Sequence, residues 1–511
     1  MEPQSFTMVR NIIRSPLFQS YTNEQQDVIW HEILQTGEIK QEDLSNIFFQ
    51  ERQRLKLQQE KDDLVKFLLS LDYDTFITFI LTGNIRGEKL LALCSGSEKL
   101  NGYCNKSFQL RNANGQPIGE PQSQYLFRLL LDRIGVPIFK GITPRKTYID
   151  KIVGGEVLGF GMNNFGELGL GDNVNRDIPT RIPKLKNIVQ VDTGASHSLC
   201  LNKDGQVWSF GYNLNGELGL DFVNERFNPG EKNPKLIQSL KDIIQVSAGG
   251  GHSLCLDKNG GVWGFGLNRH GQLGLREIEN VNIEPLLIAD LNNIIQISTG
   301  DGCSLCLDNQ GHVWAFGEQD FGQLGLNNTD FNVYVPTMIP NFNDIIKISC
   351  GATHSLCLDK QGRVWCFGSN DEGELGLGDN QNRLVPTLNP YLENIVQVSG
   401  GSGQSLCLDN QGKVWSFGSN TNGSLGLGDA ENRNYPDLIT NLPFIVQVTC
   451  GDLHSLLLDI NGRVWSFGTN DDGQLGLGDD NPRYIPVMIP NLNNIMQVNT
   501  RASHNLCIRR L

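Results

Sequence analysis

One short pattern returns seven times and limits what this chain can fold into. Its tightest copies are Gly412-Lys-Val-Trp-Ser-Phe-Gly418, Gly462-Arg-Val-Trp-Ser-Phe-Gly468, Gly362-Arg-Val-Trp-Cys-Phe-Gly368 and Gly205-Gln-Val-Trp-Ser-Phe-Gly211. Looser copies run over 261–266, 311–317 and 155–161, the last with Leu158 in place of the tryptophan. The Phe-Gly pairs begin at Phe160, Phe210, Phe265, Phe316, Phe367, Phe417 and Phe467, in steps of 50, 55, 51, 51, 50 and 50 residues. A period of about 50 residues with strand-type sequence means a propeller or a solenoid.

Each period reads alike. The strand Val414-Trp-Ser-Phe417 ends in Gly418, and the glycine-rich turn Asn422 to Gly428 follows. Pro436 then sits in a short extended run, Phe444-Ile-Val-Gln-Val448 is a β-branched strand, and His454 to Asp459 is the next strand. The short Asp-x-x-Gly connection to Gly462 joins that strand to the following Val-Trp strand as a hairpin. The repeat region opens on a Val-x-x-Phe-Gly strand (Val157 to Gly161) and stops after a His-x-Leu strand (His504 to Ile508), so each end lacks its hairpin partner. Pairing the two ends with each other closes a ring and removes the exposed edges of an open array. The expected fold is an all-β seven-bladed β-propeller over residues 151–511, behind a smaller α-helical domain over residues 1–150.

The repeat resembles that of the regulator of chromosome condensation family. The resemblance is carried by Val-Trp-x-Phe-Gly and by Asn-x-x-Gly-x-Leu-Gly-Leu-Gly-Asp (Asn370 to Asp379, Asn420 to Asp429, Asn470 to Asp479). It is carried also by Gly-x-x-His-Ser-Leu (Gly194 to Leu199, Gly351 to Leu356, Gly451 to Leu456), and it covers residues 154 to 511. No Trp-Asp dipeptide closes the units, so the pattern is not that of WD repeats. The resemblance implies a protein-interaction propeller. The family's founding member is a guanine-nucleotide exchange factor for the Ran GTPase and binds nucleosomes. Exchange of that kind holds the nucleotide-free GTPase and destabilises bound nucleotide and magnesium.

Residues 1–150 contain none of the repeat. Asn23 to Leu71 reads helical, with apolar residues at three- and four-residue spacing (Val28, Ile29, Ile33, Leu34, then Leu64, Val65, Phe67, Leu68) and Thr22 or Asn23 as cap. Gln124 to Ile134 reads as another buried helix, and Asn112 to Gln122 as a loop. Leu90 to Arg111 resembles the second half of an F-box, the helical motif that docks onto the Skp adaptor of ubiquitin ligases. The carriers are Leu90, Leu91, Leu93, Cys94, Lys99, Leu100, Cys104 and Phe108. The opening Leu-Pro of that motif is absent, and the insert Thr82 to Gly87 departs from its spacing. A small helical bundle packed on the repeats is the other reading of this stretch.

The formal net charge of −14 disfavours nucleic-acid phosphates and favours basic protein surfaces. No run of about 18 apolar residues is present, so no membrane span is expected. The N-terminus Met1-Glu-Pro-Gln-Ser5 lacks the layout of an export signal, which gives the 12 cysteines a reduced, intracellular reading, cytoplasmic or nuclear.

No catalytic constellation stands apart from the repeat. His197, His252, His354, His454 and His504 share one repeat position. Equivalent positions are spread round a ring, so they cannot converge on a metal ion. A hydrogen bond to the neighbouring turn's backbone is expected instead. Cys200, Cys255, Cys306, Cys357, Cys407 and Cys507 read as small buried residues. The spacing of Cys303 and Cys306 would suit a redox pair, but strand residues three apart point to opposite faces. Asp172, Asp379, Asp429 and Asp479 each precede an arginine by four residues (Arg176, Arg383, Arg433, Arg483), as in a turn closed by an ion pair. No metal and no cofactor are expected.

Three neighbouring units depart from the pattern: Leu220-Asp-Phe222, Leu275-Arg-Glu277 and Leu326-Asn-Asn328 replace Leu-Gly-Asp, and the first carries the five-residue excess. Irregular loops on a regular scaffold are where partner contacts lie. The candidate partner-binding residues are Phe222, Glu225, Arg226, Glu231, Arg276, Glu277 and Asp330, and the candidate adaptor-binding residues are Leu90, Leu91, Leu93, Leu100 and Phe108. The expected role is a monomeric protein-interaction scaffold acting on a small GTPase such as Ran, at most as an exchange factor. The alternatives are a Skp-bound substrate adaptor for ubiquitin ligation and a structural component of a larger assembly.

Overall fold

The computed structural model describes residues 154–510, except 221–229, 277–279 and 329–331. Among the described residues, each period of the repeat forms one four-stranded antiparallel sheet, and there are seven sheets. Blade one runs from the innermost strand Ile188–Thr193 through His197–Asn202 and Val207–Tyr212 to the outermost strand Gly230–Leu236. Blades two to six repeat this order from innermost strands Ile243–Ala248, Ile294–Thr299, Ile345–Cys350, Ile395–Gly400 and Ile445–Cys450. Every outermost strand holds one proline, Pro436 in blade five for example. Proline lacks a ladder donor, so it sits where the sheet ends.

Blade seven is built from both ends of the repeat region. Ile495–Thr500 and His504–Arg509 form its inner half, and Glu156–Gly161 and Arg176–Arg181 its outer half. The first strand pairs antiparallel with the last, from Glu156 opposite Arg509 to Gly161 opposite His504. Glu156 accepts hydrogen bonds from the Arg509 guanidinium and faces Arg181 on its other side. The ring is thereby closed by a ladder and an ion-paired triad.

The core lies between blades, because both faces of each sheet are covered. Val157, Leu506 and Ile508 of blade seven pack with Ile188, Val191, Cys200 and Phe210 of blade one. Phe160, Phe210, Phe265, Phe316, Phe367, Phe417 and Phe467 are the largest fully buried side chains. Burying one such ring stabilises by roughly 1.5–3 kcal/mol. The glycine-rich turn of each blade covers the next blade's ring. At the closure, a Cβ on Gly476 would meet Phe160 Cδ2 at 3.0 Å, and Gly476 has φ +68°.

Three rings of polar contacts tie neighbouring blades together. In the first, Gln190 Nε2 donates to the Val246 carbonyl at 2.9 Å and its Oε1 accepts the Val246 amide at 3.1 Å. Gln245, Gln296, Gln397, Gln447 and Gln497 do the same to their next blades. Lys347 holds this position in blade four and donates to the Val396 carbonyl at 3.0 Å. In the second ring, Asp192, Ser247, Ser298, Ser349, Ser399, Thr449 and Asn499 each accept a backbone amide of the following blade.

The third ring uses the repeated histidine. His197, His252 and His354 meet Ser253, Ser304 and Ser405 of the next blade at 2.9 Å, and His504 meets Ser198 at 3.0 Å. His454 meets Asn505 at 2.8 Å. The partner is therefore a side chain of the neighbouring blade, not the turn backbone that the sequence suggested. Only Gln404, standing in for histidine, reaches a backbone carbonyl, that of Gly451. The Ser253 hydroxyl donates to the Glu217 carbonyl, so His252's neighbour His197 must donate from Nε2. Burial pushes His197, His252 and His504 down to about 3 and His354 and His454 to about 4.

Candidate functional site: the channel mouth and the irregular loops

Antiparallel order sends the innermost and third strands of a blade toward the same end. The Gly-x-x-His loops and the long third-to-fourth connections therefore share one face. That face holds the mouth of the central channel, a cavity of about 130 Å³ lined by the hydroxyl ring and by Asp192, Asp301, Asp452 and Arg501.

The mouth loops begin with glycine in six blades: Gly194, Gly249, Gly300, Gly351, Gly401 and Gly451. A side chain on Gly194 would strike its own blade's His197 ring at 2.3 Å and the Gly249 carbonyl at 2.5 Å. Blade seven carries Arg501 instead. Its Nη1 donates to the Thr299 carbonyl at 2.7 Å and its Nη2 to Asp301 at 3.0 Å, both in blade three. Arg501 is 16 % exposed and Asp301 52 %. Burial lowers the Arg501 pKa, but Asp301, Asp452 and Asp192 outweigh it and hold the guanidinium charged. Burial raises Asp192 to about 6, against the hydrogen bond it accepts from Ala248. Burial raises Asp452 too, with the Asp301 charge adding and Arg501 opposing. The mouth is thus acidic, with one arginine drawn across it.

Two of the sequence-derived partner residues are described. Glu231 lies in the outermost strand of blade one, opposite Gly211, with Lys235 3.8 Å away. Arg276 is exposed in the third-to-fourth connection of blade two, held through two 3.0 Å hydrogen bonds to Asp290. The two sit on adjacent blades, each tied within its own surroundings. Phe222, Glu225, Arg226, Glu277 and Asp330 lie outside the described residues. So do residues 1–150, with Leu90, Leu91, Leu93, Leu100 and Phe108. The regular turns close as the sequence suggested: Arg176, Arg383, Arg433 and Arg483 pair with Asp172, Asp379, Asp429 and Asp479 at 2.6–2.7 Å. The described cysteines are buried free thiols, and no cluster able to hold a metal occurs among the described residues. Among them, no helix is long and apolar enough to cross a membrane.

Sequence reasoning missed the glutamine ring, the hydroxyl ring and Arg501. The signal existed: Gln190, Gln245, Gln296, Gln397, Gln447 and Gln497 keep one phase in the repeat, and Arg501 breaks a run of glycines.

A family model for the RCC1-like domain matches residues 156–507. The chain belongs to the RCC1-like domain family. Over 214 residues it is 36 % identical to the probable E3 ubiquitin-protein ligase HERC4 of Rattus norvegicus, covering 40 % of this chain and 20 % of that protein. Over 240 residues it is 30 % identical to the ultraviolet-B receptor UVR8 of Arabidopsis thaliana, covering 45 % of this chain and 52 % of that one. The RCC1-like chain thus spans only part of the curated relatives it matches. Among solved structures, Prp20p of Saccharomyces cerevisiae superposes with a TM-score of 0.63 at 23 % identity, covering 73 % of this chain and 97 % of its own. Human WBSCR16 gives 0.63 at 22 %, covering 70 % and 99 %. At such identity the likeness is one of fold.

Proposed function

We propose that this RCC1-like propeller is a protein-interaction scaffold that binds a small GTPase of the Ran class through its mouth face and promotes nucleotide exchange. The observation that carries the reading is the family match over residues 156–507 with Prp20p among the structural neighbours, a protein described by its binding properties to Gsp1p and histones. The acidic mouth, with Asp301, Asp452 and Asp192 around one arginine, suits a partner with a basic surface. It gives no support to binding nucleic-acid phosphates, so a nucleic-acid role is not carried over. The test is release of a fluorescent guanine nucleotide from Ran and from a panel of other small GTPases by the full chain. Acceleration that is lost on shortening 221–229 is the expected result. Rates equal to buffer across the panel remove the exchange reading.

The HERC relatives favour a second reading, a substrate adaptor in ubiquitin ligation. In it, Leu90, Leu91, Leu93, Leu100 and Phe108 bind a Skp adaptor and the propeller binds the target. Capture of Skp by the full chain should be lost when Leu90 to Arg111 is deleted. Equal capture by both, or capture by neither, ends this reading.

A further inference from the structure

Six blade junctions carry the histidine or glutamine contact, and the junction between blades three and four does not. There Cys303 stands at the histidine position, and Cys350 precedes the mouth glycine of the next blade. The same two positions meet at the junction of blades six and seven, where His454 Nε2 lies 2.9 Å from Thr500 Oγ1. Between blades three and four the pair is two thiols. A Cβ placed on Gly300 would fall 2.6 Å from Cys303 Sγ and 3.4 Å from Cys350 Cβ, so the two side chains converge on the volume of one methyl group. Both are free thiols. Cys306 is no competitor, since it is three residues along the same strand and faces the other way.

The two differ in access. Cys303 is fully buried, whereas Cys350 is 4 % exposed and lines the channel cavity. A water-sized oxidant in the cavity reaches Cys350 first and meets Cys303 only behind it. Neighbouring Cys350 and burial hold the Cys303 thiol well above its usual range, so it stays protonated until a sulfenic hydroxyl beside it can take the proton.

We propose that Cys303 and Cys350 are a peroxide-driven, reversible redox pair whose disulfide staples blade three to blade four beside the channel mouth. The Cys350 sulfur attacks one peroxide oxygen and the O–O bond breaks. That oxygen stays as a sulfenic acid, and the other leaves as water with the Cys350 proton. The Cys303 sulfur then attacks the sulfenic sulfur. The S–S bond forms, the S–O bond breaks, and the hydroxyl leaves as a second water with the Cys303 proton. Two thiols lose two electrons, and one peroxide becomes two waters. The staple joins the loops at Gly300 to Gly302 and Gly351 to Thr353. Asp301, on which Arg501 lands, is in the first of them.

The test treats the intact, folded protein with hydrogen peroxide, blocks remaining thiols by alkylation and maps the peptides by mass spectrometry. The expected product is a Cys303–Cys350 linked peptide that dithiothreitol reverses. Amide exchange at residues 300–302 and 351–353 should slow about tenfold on oxidation, since the loops can then open only together. Cys303→Ser should leave Cys350 as a sulfenic acid that dimedone traps, and Cys350→Ser should leave Cys303 unoxidised. Both replacements are close in size to the thiol, and Cys350→Ser places a hydroxyl where Thr193, Thr299 and Thr500 carry one, so the variants test chemistry and not folding. The proposal is overturned by a link that forms only in denaturant, by Cys350 oxidised beyond sulfenic acid with Cys303 free, or by two thiols that survive until the protein unfolds.

Discussion

Arg501 in blade seven reaches across the channel mouth to Asp301 in blade three, 200 residues earlier, with Nη2 3.0 Å from Oδ1. The same guanidinium holds the Thr299 carbonyl at 2.7 Å. Covalently distant blades on opposite sides of the ring are thereby fixed to one another without the ladder. Removing the cation leaves Asp192 and Asp452 facing a cavity whose lining, among the described residues, holds no other positive charge. Arg501→Met should therefore destabilise by about 1–3 kcal/mol, the range of hydrogen bonds to charged groups, discounted because Asp301 is half exposed. Asp301→Asn keeps an acceptor for Arg501 and should lose less. Urea unfolding of the three proteins measures both, and equal stability of Arg501→Met and the native protein would show that the strut carries no load.

Five histidines make the ring sensitive to acid. Unfolded imidazoles take up protons below about pH 6.5. The folded ones stay neutral down to about 3 or 4, because Nε2 already donates and a second proton finds buried Nδ1 atoms without partners at His252, His354 and His504. Between those limits the unfolded chain binds more protons, so stability is complete above pH 6.5 and falls as pH drops through the window. Each histidine adds up to about 1.4 kcal/mol per pH unit. Asp192, raised to about 6, opposes this below its own pKa. His354→Gln, which copies Gln404 of the next blade, should flatten the slope between pH 6.5 and 5 by about one proton. Denaturant unfolding at pH 7, 6 and 5 checks it, and an unaltered slope would falsify the assignment.

The closure makes a further expectation. Gly476 packs on Phe160 across the junction of the chain's two ends. Gly476→Ala puts a Cβ 3.0 Å from the ring and keeps a φ of +68° that alanine disfavours. The cost should be about 1–3 kcal/mol, from strain and overpacking together. Deleting residues 154–161 should cost far more, since it removes the strand opposite His504 to Arg509. Thermal unfolding that does not change on that deletion would disprove closure by this pair.

What the sequence displayed, and what it hid, follows from the range of each interaction. Phe417, Gly418 and Pro436 have roles that repeat within one unit, so seven copies expose them. The unpaired ends at Val157 and His504 likewise declared each other. Gln190 and Val246 meet across a junction 56 residues apart, and no single period shows that contact. The histidine partner was misjudged for the same reason, because Ser253 is conspicuous only once blade two lies beside blade one. Arg501 and Asp301 share neither a period nor a junction. The irregular loops were legible as departures, but Arg276 proved to be tied to Asp290 in its own neighbourhood.

Lys347 offers the sharpest test of the glutamine ring. Glutamine both donates to and accepts from the next blade, as Gln296 does with Ile348. An ammonium can only donate, and Lys347 reaches Val396, two residues short of the position equivalent to Ile348. Burial also lowers its pKa to about 8. Between pH 8 and about 10.4 the unfolded lysine holds a proton that the folded one has released. Stability from this site therefore rises with pH across that window and is weakest below pH 8. Lys347→Gln should add about 1 kcal/mol at pH 7, by supplying the missing acceptor and removing a half-buried charge. The same variant should lose the rise between pH 8 and 10. Chemical unfolding at pH 7 and pH 10 distinguishes the outcomes: a less stable variant, or one that still gains on going to pH 10, means that blade four has adapted its junction to the lysine.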